Sequence, residues 1–274
     1  MRKACILLMC CTEPRHIGVR CVLSIWEVCI VAVAGFCSGV IKAGVGIGAG
    51  VFLLPTLSLA FPAKTALGIG APLLLVSDIL GLRYYWKQWV SAGELFRLLG
   101  AALPGLLVGT VLLPVIPAKA FRVGVGIFGV FYAVSMLWPA FPPTVFVKRL
   151  FSSLGERHAD KQVYLYGFSG GIATVLAHAG GLVWSLYLMT SVKDRRVFVG
   201  TICLVFFITN IYKIAAYVLI GTIAVQDILT ILPALPAVWL GSMIGNMANK
   251  YMRQDIFRNA VLFIIIIVSM KLCF

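Results

Sequence analysis

GFCSGVIKAGVGIGAGVFLLPTLSLA, residues 35–60, is apolar almost throughout, yet glycine stands at 44, 46, 48 and 50 and a lysine at 42. Each glycine weakens a helix by about 1 kcal/mol relative to alanine, so the alternation predicts a helix break. Backbone groups released at such a break are not tolerated against lipid; non-helical chain at membrane depth is buried in protein or lines a wet cavity. Lys42 sits at the edge of the expected break. A cation is costly in hydrocarbon and marks a pathway or a binding site, which makes an anion site at a broken helix the first expectation.

Working outward, the pattern returns after a shift of 132 residues. Gly35 meets Gly167, Phe36 meets Phe168, Gly39 meets Gly171, Gly48 meets Gly180 and Gly68 meets Gly200. Without a gap, Tyr85 then meets Tyr217, Leu103 meets Leu235, Pro104 meets Pro236 and Gly109 meets Gly241. Two homologous halves account for this. Paired, glycine-interrupted apolar segments at corresponding positions of two halves point to a transporter's binding site.

Composition sets the environment. Hydrophobic residues make up 61% and charged residues 12% of the chain, with a mean hydropathy of +1.03, whereas soluble domains carry about 25% charged residues. The protein is expected to be integral to a membrane. A formal net charge of +14 does not imply nucleic acid, because the basic residues stand singly between apolar spans and form no stripe with interleaved aromatics. Six of the eight cysteines (Cys5, Cys10, Cys11, Cys21, Cys29 and Cys37) fall early in the chain without CxxC or metal-ligand spacing. Most are expected to be small buried hydrophobes, and neither a metal nor another cofactor is expected.

Residues 1–23 carry an apolar run too short to span, followed by Pro14 and further cations, which fits an interfacial or disordered tail better than a degenerate signal segment. Stretches of about 20 apolar residues lie at 66–86, 98–116, 121–138, 197–221, 228–247 and 256–273. Each trio follows a glycine-broken segment, 24–60 or 163–191, expected to fold as a helical hairpin that returns to the face it left. The fold class is therefore an all-α polytopic membrane protein of two inverted repeats, each a glycine-broken hairpin plus three transmembrane helices. The expected boundaries are a tail at 1–23, repeats at 24–138 and 163–274, and a linker at 139–162. Sorting the 23 basic residues by face puts thirteen of them, Arg83, Lys87, Arg97, Lys148 and Arg149 included, on the linker's side. Positive-inside bias then places the linker in the cytoplasm and both termini outside, in a plasma membrane. Tyr84, Tyr85, Trp86 and Trp89 read as an interfacial aromatic belt.

Between Gln162 and Val192 there is no formally charged residue, and the single group that titrates near neutral pH is His178, just before the second break at Gly180 and Gly181. An ordinary pKa of about 6.5 would let it change charge in a transport cycle. Asp78 and Asn210 correspond across the 132-residue shift, and Lys213 lies one turn beyond Asn210 on the same face. Asp78 and Lys213 either pair with each other, or Lys213 attracts an anion while Asp78 exchanges a proton or cation. Thr201 offers a hydroxyl, although such groups mostly bond their own helix. Half-helices starting near Gly50 and Gly181 would aim unpaired N–H groups and positive dipole ends at a common centre, an arrangement that receives oxyanions.

In KAGVGIGAG with Pro55 following, APLLLVSD leading to RYYWKQW, AHAGG, VGT at 199–201 and TNIYKIAAY, the chain resembles the sulfite exporter TauE/SafE family of membrane permeases. The likeness runs from about residue 25 to the end. It implies a permease for sulfite, sulfoacetate or other small organosulfur anions. Matching positions suggest Lys42, Asp78, His178, Asn210 and Lys213. Ala43 and Ala49 replace a common Gly-Gly, and Leu182 and Val183 stand where the second break usually has proline, so the substrate is left open.

The expected substrate site thus comprises Lys42, Gly48, Gly50, His178, Gly180, Gly181, Thr201, Asn210 and Lys213, with Asp78 and His178 as coupling groups. Its expected partners are a small anion, the lipid bilayer, a coupling proton or cation and a second copy of the chain. No nucleophile–base pair or metal-ligand cluster suggests an enzyme. A passive anion channel and a non-transporting membrane scaffold are the alternatives.

Overall fold

A computed structural model of the chain describes residues 24–44, 48–137, 159–224, 227, 229–251, 263, 266, 267, 269 and 270. The amino-terminal tail, most of the linker and most of the expected span at 256–273 lie outside the described residues. Nine α-helices occur among those described: α1 Ile25–Gly44, α2 Ala49–Leu57, α3 Ala63–Tyr84, α4 Ala92–Val115, α5 Ala118–Leu137, α6 Ala159–Ala177, α7 Gly180–Ser191, α8 Arg195–Leu219 and α9 Leu235–Tyr251. A 3-10 helix, Leu229–Ala234, leads into α9. Local chemistry sets several ends. Ser91 caps α4 by accepting from the Glu94 N–H, and Asp194 caps α8 by accepting from the N–H groups of Arg196 and Val197. Gly221, at φ 69°, closes α8 in a left-handed turn, with the Thr222 N–H donating to the Tyr217 carbonyl six residues back by inclusive count.

Among the described residues five helical stretches are long and apolar enough to cross a membrane: Ile25–Gly44, Ala63–Tyr84, Ala92–Val115, Arg196–Leu219 and Leu229–Met247. The first differs from expectation in kind. The hairpin at 24–60 is one full-length helix, α1, followed by the nine-residue α2, which at 1.5 Å per residue rises only about 14 Å.

Polar and apolar groups are distributed inside out. Lys42, Ser77, Asp78, Thr174, His178, Asn210 and Lys213 are buried, whereas Leu103, Leu107, Val111 and Val115 of α4 are exposed. Water would make that surface an aggregation hazard; lipid makes it a solvent contact. α3 is the central helix, 72% of its span being buried against 39% for α4. Tyr85 corrects the aromatic-belt expectation, because it is buried and its hydroxyl donates to the Ala43 carbonyl at 3.2 Å. Trp86 is exposed and packs edge-on against Trp89 at 5.7 Å. Cys203 is buried as expected of a small hydrophobe, while Cys29 is exposed.

The closest helix pairs are α1 with α9 and α4 with α6. Both rest on glycines. A Cβ at Gly39 would strike the Val238 carbonyl, one at Gly241 the Phe36 carbonyl, one at Gly171 the Ala102 carbonyl and one at Gly105 the Phe168 carbonyl. Backbones meet directly there, the packing that small residues permit where lipid removes any hydrophobic drive between helices. Contacts also recur at the sequence shift. The Tyr217 hydroxyl donates to the Val175 carbonyl at 2.6 Å, repeating the Tyr85–Ala43 bond in the other half.

Gly39→Leu and Gly171→Leu are each expected to destabilise the detergent-solubilised protein by about 2–3 kcal/mol through overpacking. Gly100→Leu, where a Cβ would meet nothing within 4 Å, should leave the unfolding midpoint within about 0.5 kcal/mol of the parent. Equal effects at all three positions would count against the backbone contacts.

Candidate functional site

Both expected breaks are present. α1 ends at Gly44, and Gly48, at φ 94°, delivers the chain into α2 one residue earlier than anticipated. In the second half α6 ends at Ala177 and α7 starts at Gly180, again one residue early. His178 makes that turn at φ 52°, a left-handed conformation costing a side-chain-bearing residue about 1–2 kcal/mol. Neither half-helix has a side-chain cap. No side chain therefore covers their positive dipole ends, and in the first turn of α7 the Leu182 N–H donates to the Ala179 carbonyl. The two breaks abut: a Cβ at Gly50 would collide with the carbonyl and Cβ of His178.

Between them lies a cavity of about 10 Å³, at the lower limit for a single water. Its lining combines Lys42 of α1, Gly48, Ala49, Gly50 and Val51 at the first break, Leu74 of α3, His178, Ala179, Gly181 and Leu182 at the second, and Phe206 of α8.

Two buried lysines stand at this site in different ways, Lys42 lining the cavity and Lys213 bonded to His178 of its lining. Lys42 Nζ donates to Asp78 Oδ1 at 2.5 Å and lies 3.7 Å from the centroid of the Phe206 ring, so its charge is met by a carboxylate and an aromatic face. The second carboxylate oxygen of Asp78 accepts from Asn210 Nδ2 at 2.6 Å. Asn210 Oδ1 is buried and has no partner among the described residues. Lys213 has no such carboxylate. Its Nζ donates to His178 Nδ1 at 2.8 Å, to Thr174 Oγ1 at 3.3 Å and to the Thr174 carbonyl at 3.4 Å.

His178 holds a defined tautomer. Its Nε2 is 2.9 Å from the Leu67 carbonyl, which can only accept, so Nε2 carries the hydrogen and Nδ1 offers its lone pair to Lys213. The expected alternative of an Asp78–Lys213 pair is thereby corrected: Asp78 takes Lys42, because α1 and α3 place those two side chains together, and Lys213 turns to the second break. Gly180, with Thr174 and Trp184 where a Cβ would stand, opens α7 behind the cavity. Thr201 does not join the group. Its hydroxyl donates to the Val197 carbonyl and accepts from the Val90 N–H, which ties the loop before α4 to α8.

The family model for Sulfite exporter TauE/SafE matches residues 31–272. The chain belongs to the TauE/SafE family. It is accordingly an integral, multi-pass membrane protein of a transporter family. No curated protein and no solved structure gives a match.

Two residues of this TauE/SafE chain's site were not anticipated. Phe206 shares one face of α8 with Asn210 and Lys213, at i+4 and i+7, a spacing visible in the sequence. Thr174 is the counterpart of Lys42 across the 132-residue shift, which was equally visible. Among the described residues no group of three or more His, Cys, Asp or Glu is assembled that could hold a metal.

Removing one partner of a buried ion pair strands the other, at about 3–5 kcal/mol. Lys42→Met and Asp78→Asn are each expected to lower unfolding stability in detergent by that amount, and the Lys42→Met/Asp78→Asn double variant by less than the larger single loss. Additive losses would argue against the pairing.

Proposed function

We propose that this protein is a permease for small sulfur-containing anions such as sulfite or organosulfonates, binding them between the two broken helices and alternating access around that site. The observation carrying this reading is the meeting of two half-helix starts without side-chain caps at one cavity lined by the buried Lys42. Oriented N–H groups and ammonium groups are what an oxyanion needs in place of its water shell. Membership of a sulfite exporter family supports the substrate class.

The cavity is smaller than a sulfite ion, so binding requires the half-helices to separate and closure to occlude the anion. Two inverted halves, with the linker cytoplasmic in a plasma membrane, complete the proposal. They supply a symmetric means of opening to either side. Coupling to a proton is assigned to His178 rather than Asp78. His178 lines the cavity and Asp78 does not.

Sulfite or a small sulfonate at 100 times its dissociation constant should stabilise the solubilised protein by about 2.7 kcal/mol, read as a rise in melting temperature. A screen of sulfite, sulfate, thiosulfate, sulfoacetate, taurine and simple carboxylates that produced no shift would refute the site. In proteoliposomes, a pH gradient should accelerate sulfite movement in the parent and not in His178→Gln; equal parental rates with and without the gradient would remove coupling.

A further inference from the structure

We propose that Phe206 sets the size limit of the substrate, its ring being the wall that admits a small group on the sulfur and turns away a bulky one. This rests on the permease reading and concerns which anions that site accepts. Among the described residues lining the cavity, Gly48, Ala49, Gly50, Ala179 and Gly181 contribute almost no side-chain bulk, and Phe206 is the largest hydrocarbon side chain. α8 delivers it on the face that also carries Asn210 and Lys213, one and two turns further on. It is buried.

Three neighbours fix the ring. Lys42 Nζ lies 3.7 Å from its centroid, within the range at which an ammonium is attracted to an aromatic face. A Cβ at Gly181, in the first turn of α7, would collide with the ring's Cζ, so glycine at that position lets the ring reach the half-helix start. Trp184 packs against the ring at 5.5 Å between centroids, with the planes inclined at 56°. Trp184 is itself fully buried, and its indole N–H donates to the Gly167 carbonyl at 3.4 Å. A Cβ at Gly170 would strike the same indole nitrogen, so the α6 backbone stands directly behind it. The ring cannot retreat without moving Trp184 against α6. A close-packed aromatic of this kind makes a hard boundary, where a methionine would make a yielding one. Parting the breaks makes room for the anionic head and leaves the ring, which α8 carries, as the wall for whatever else the sulfur bears. In an apolar pocket a single methylene too many or too few changes binding by about 10–200-fold.

Methanesulfonate and benzenesulfonate carry the same singly charged head and differ in the group on sulfur, so charge cancels from their comparison. Calorimetric titration of the intact solubilised parent should show methanesulfonate binding at least about tenfold more tightly. In Phe206→Ala the phenyl ring of benzenesulfonate can take the space the side chain leaves, and the ratio of the two affinities should move at least about tenfold toward benzenesulfonate. Phe206→Leu, a swap that apolar interiors tolerate, should move the ratio the same way by at least about threefold, and it decides the matter if Phe206→Ala is not monodisperse. Packing damage alone would lower both affinities together and leave the ratio where it was. An unchanged ratio in a folded variant, or benzenesulfonate binding the parent as well as methanesulfonate does, would overturn the role of Phe206 and leave the permease reading standing. Failure of both sulfonates and of sulfite to bind the parent and its variants would defeat both.

Discussion

A charge placed inside an apolar layer has to be solvated by the protein, and the arrangement around Asp78 follows from that requirement. Its two carboxylate oxygens take Lys42 from α1 and Asn210 from α8, tying together helices distant in sequence around the central α3. Without the carboxylate, Lys42 would have only the Phe206 face. Without Lys42, the acid would keep only an amide. The ion pair therefore governs how closely α1, α3 and α8 approach, and that approach positions the two breaks.

Asp78 and Asn210 occupy equivalent positions 132 residues apart and are hydrogen-bonded to each other. The 132-residue shift read from the sequence thus coincides with a direct contact in the fold. One copy is acidic and the other an amide, which avoids two carboxylates sharing a buried site. The same departure from identity recurs one shell away. Lys42 in one half answers to Thr174 in the other, and Thr174 is where Lys213 finds two of its acceptors. Lys213 is thus met by neutral partners where Lys42 is met by a carboxylate.

Much of this was legible beforehand, because glycine and buried charge are strong signals in an apolar chain. The alternating glycines from 44 to 50 announced a break, and both half-helices begin within a residue of the expected place. Asp78 and Asn210 were matched by the repeat alone. Which lysine would pair with Asp78 was not legible, because Lys42 lies on a helix 36 residues away and no local spacing connects them. Gly35 and Gly39 were legible as repeat matches and not as close-packing positions against α9, which only the fold reveals. Tyr85 looked like its aromatic neighbours in sequence; only tertiary contact separates a buried clamp from an interfacial ring. Thr201 shows the converse, a polar residue in a plausible position whose bonds are all taken by backbone.

The glycine contacts bear on how the molecule can move. α1 comes from the first half and is fused along its backbone to α9 of the second; α6 comes from the second half and is fused to α4 of the first. Each unit is thus a chimera of both repeats, and pulling the halves apart as bodies would tear both seams. Any motion that spares both seams would have to carry each mixed pair as one body, leaving an opening at the breaks to the short α2 and α7.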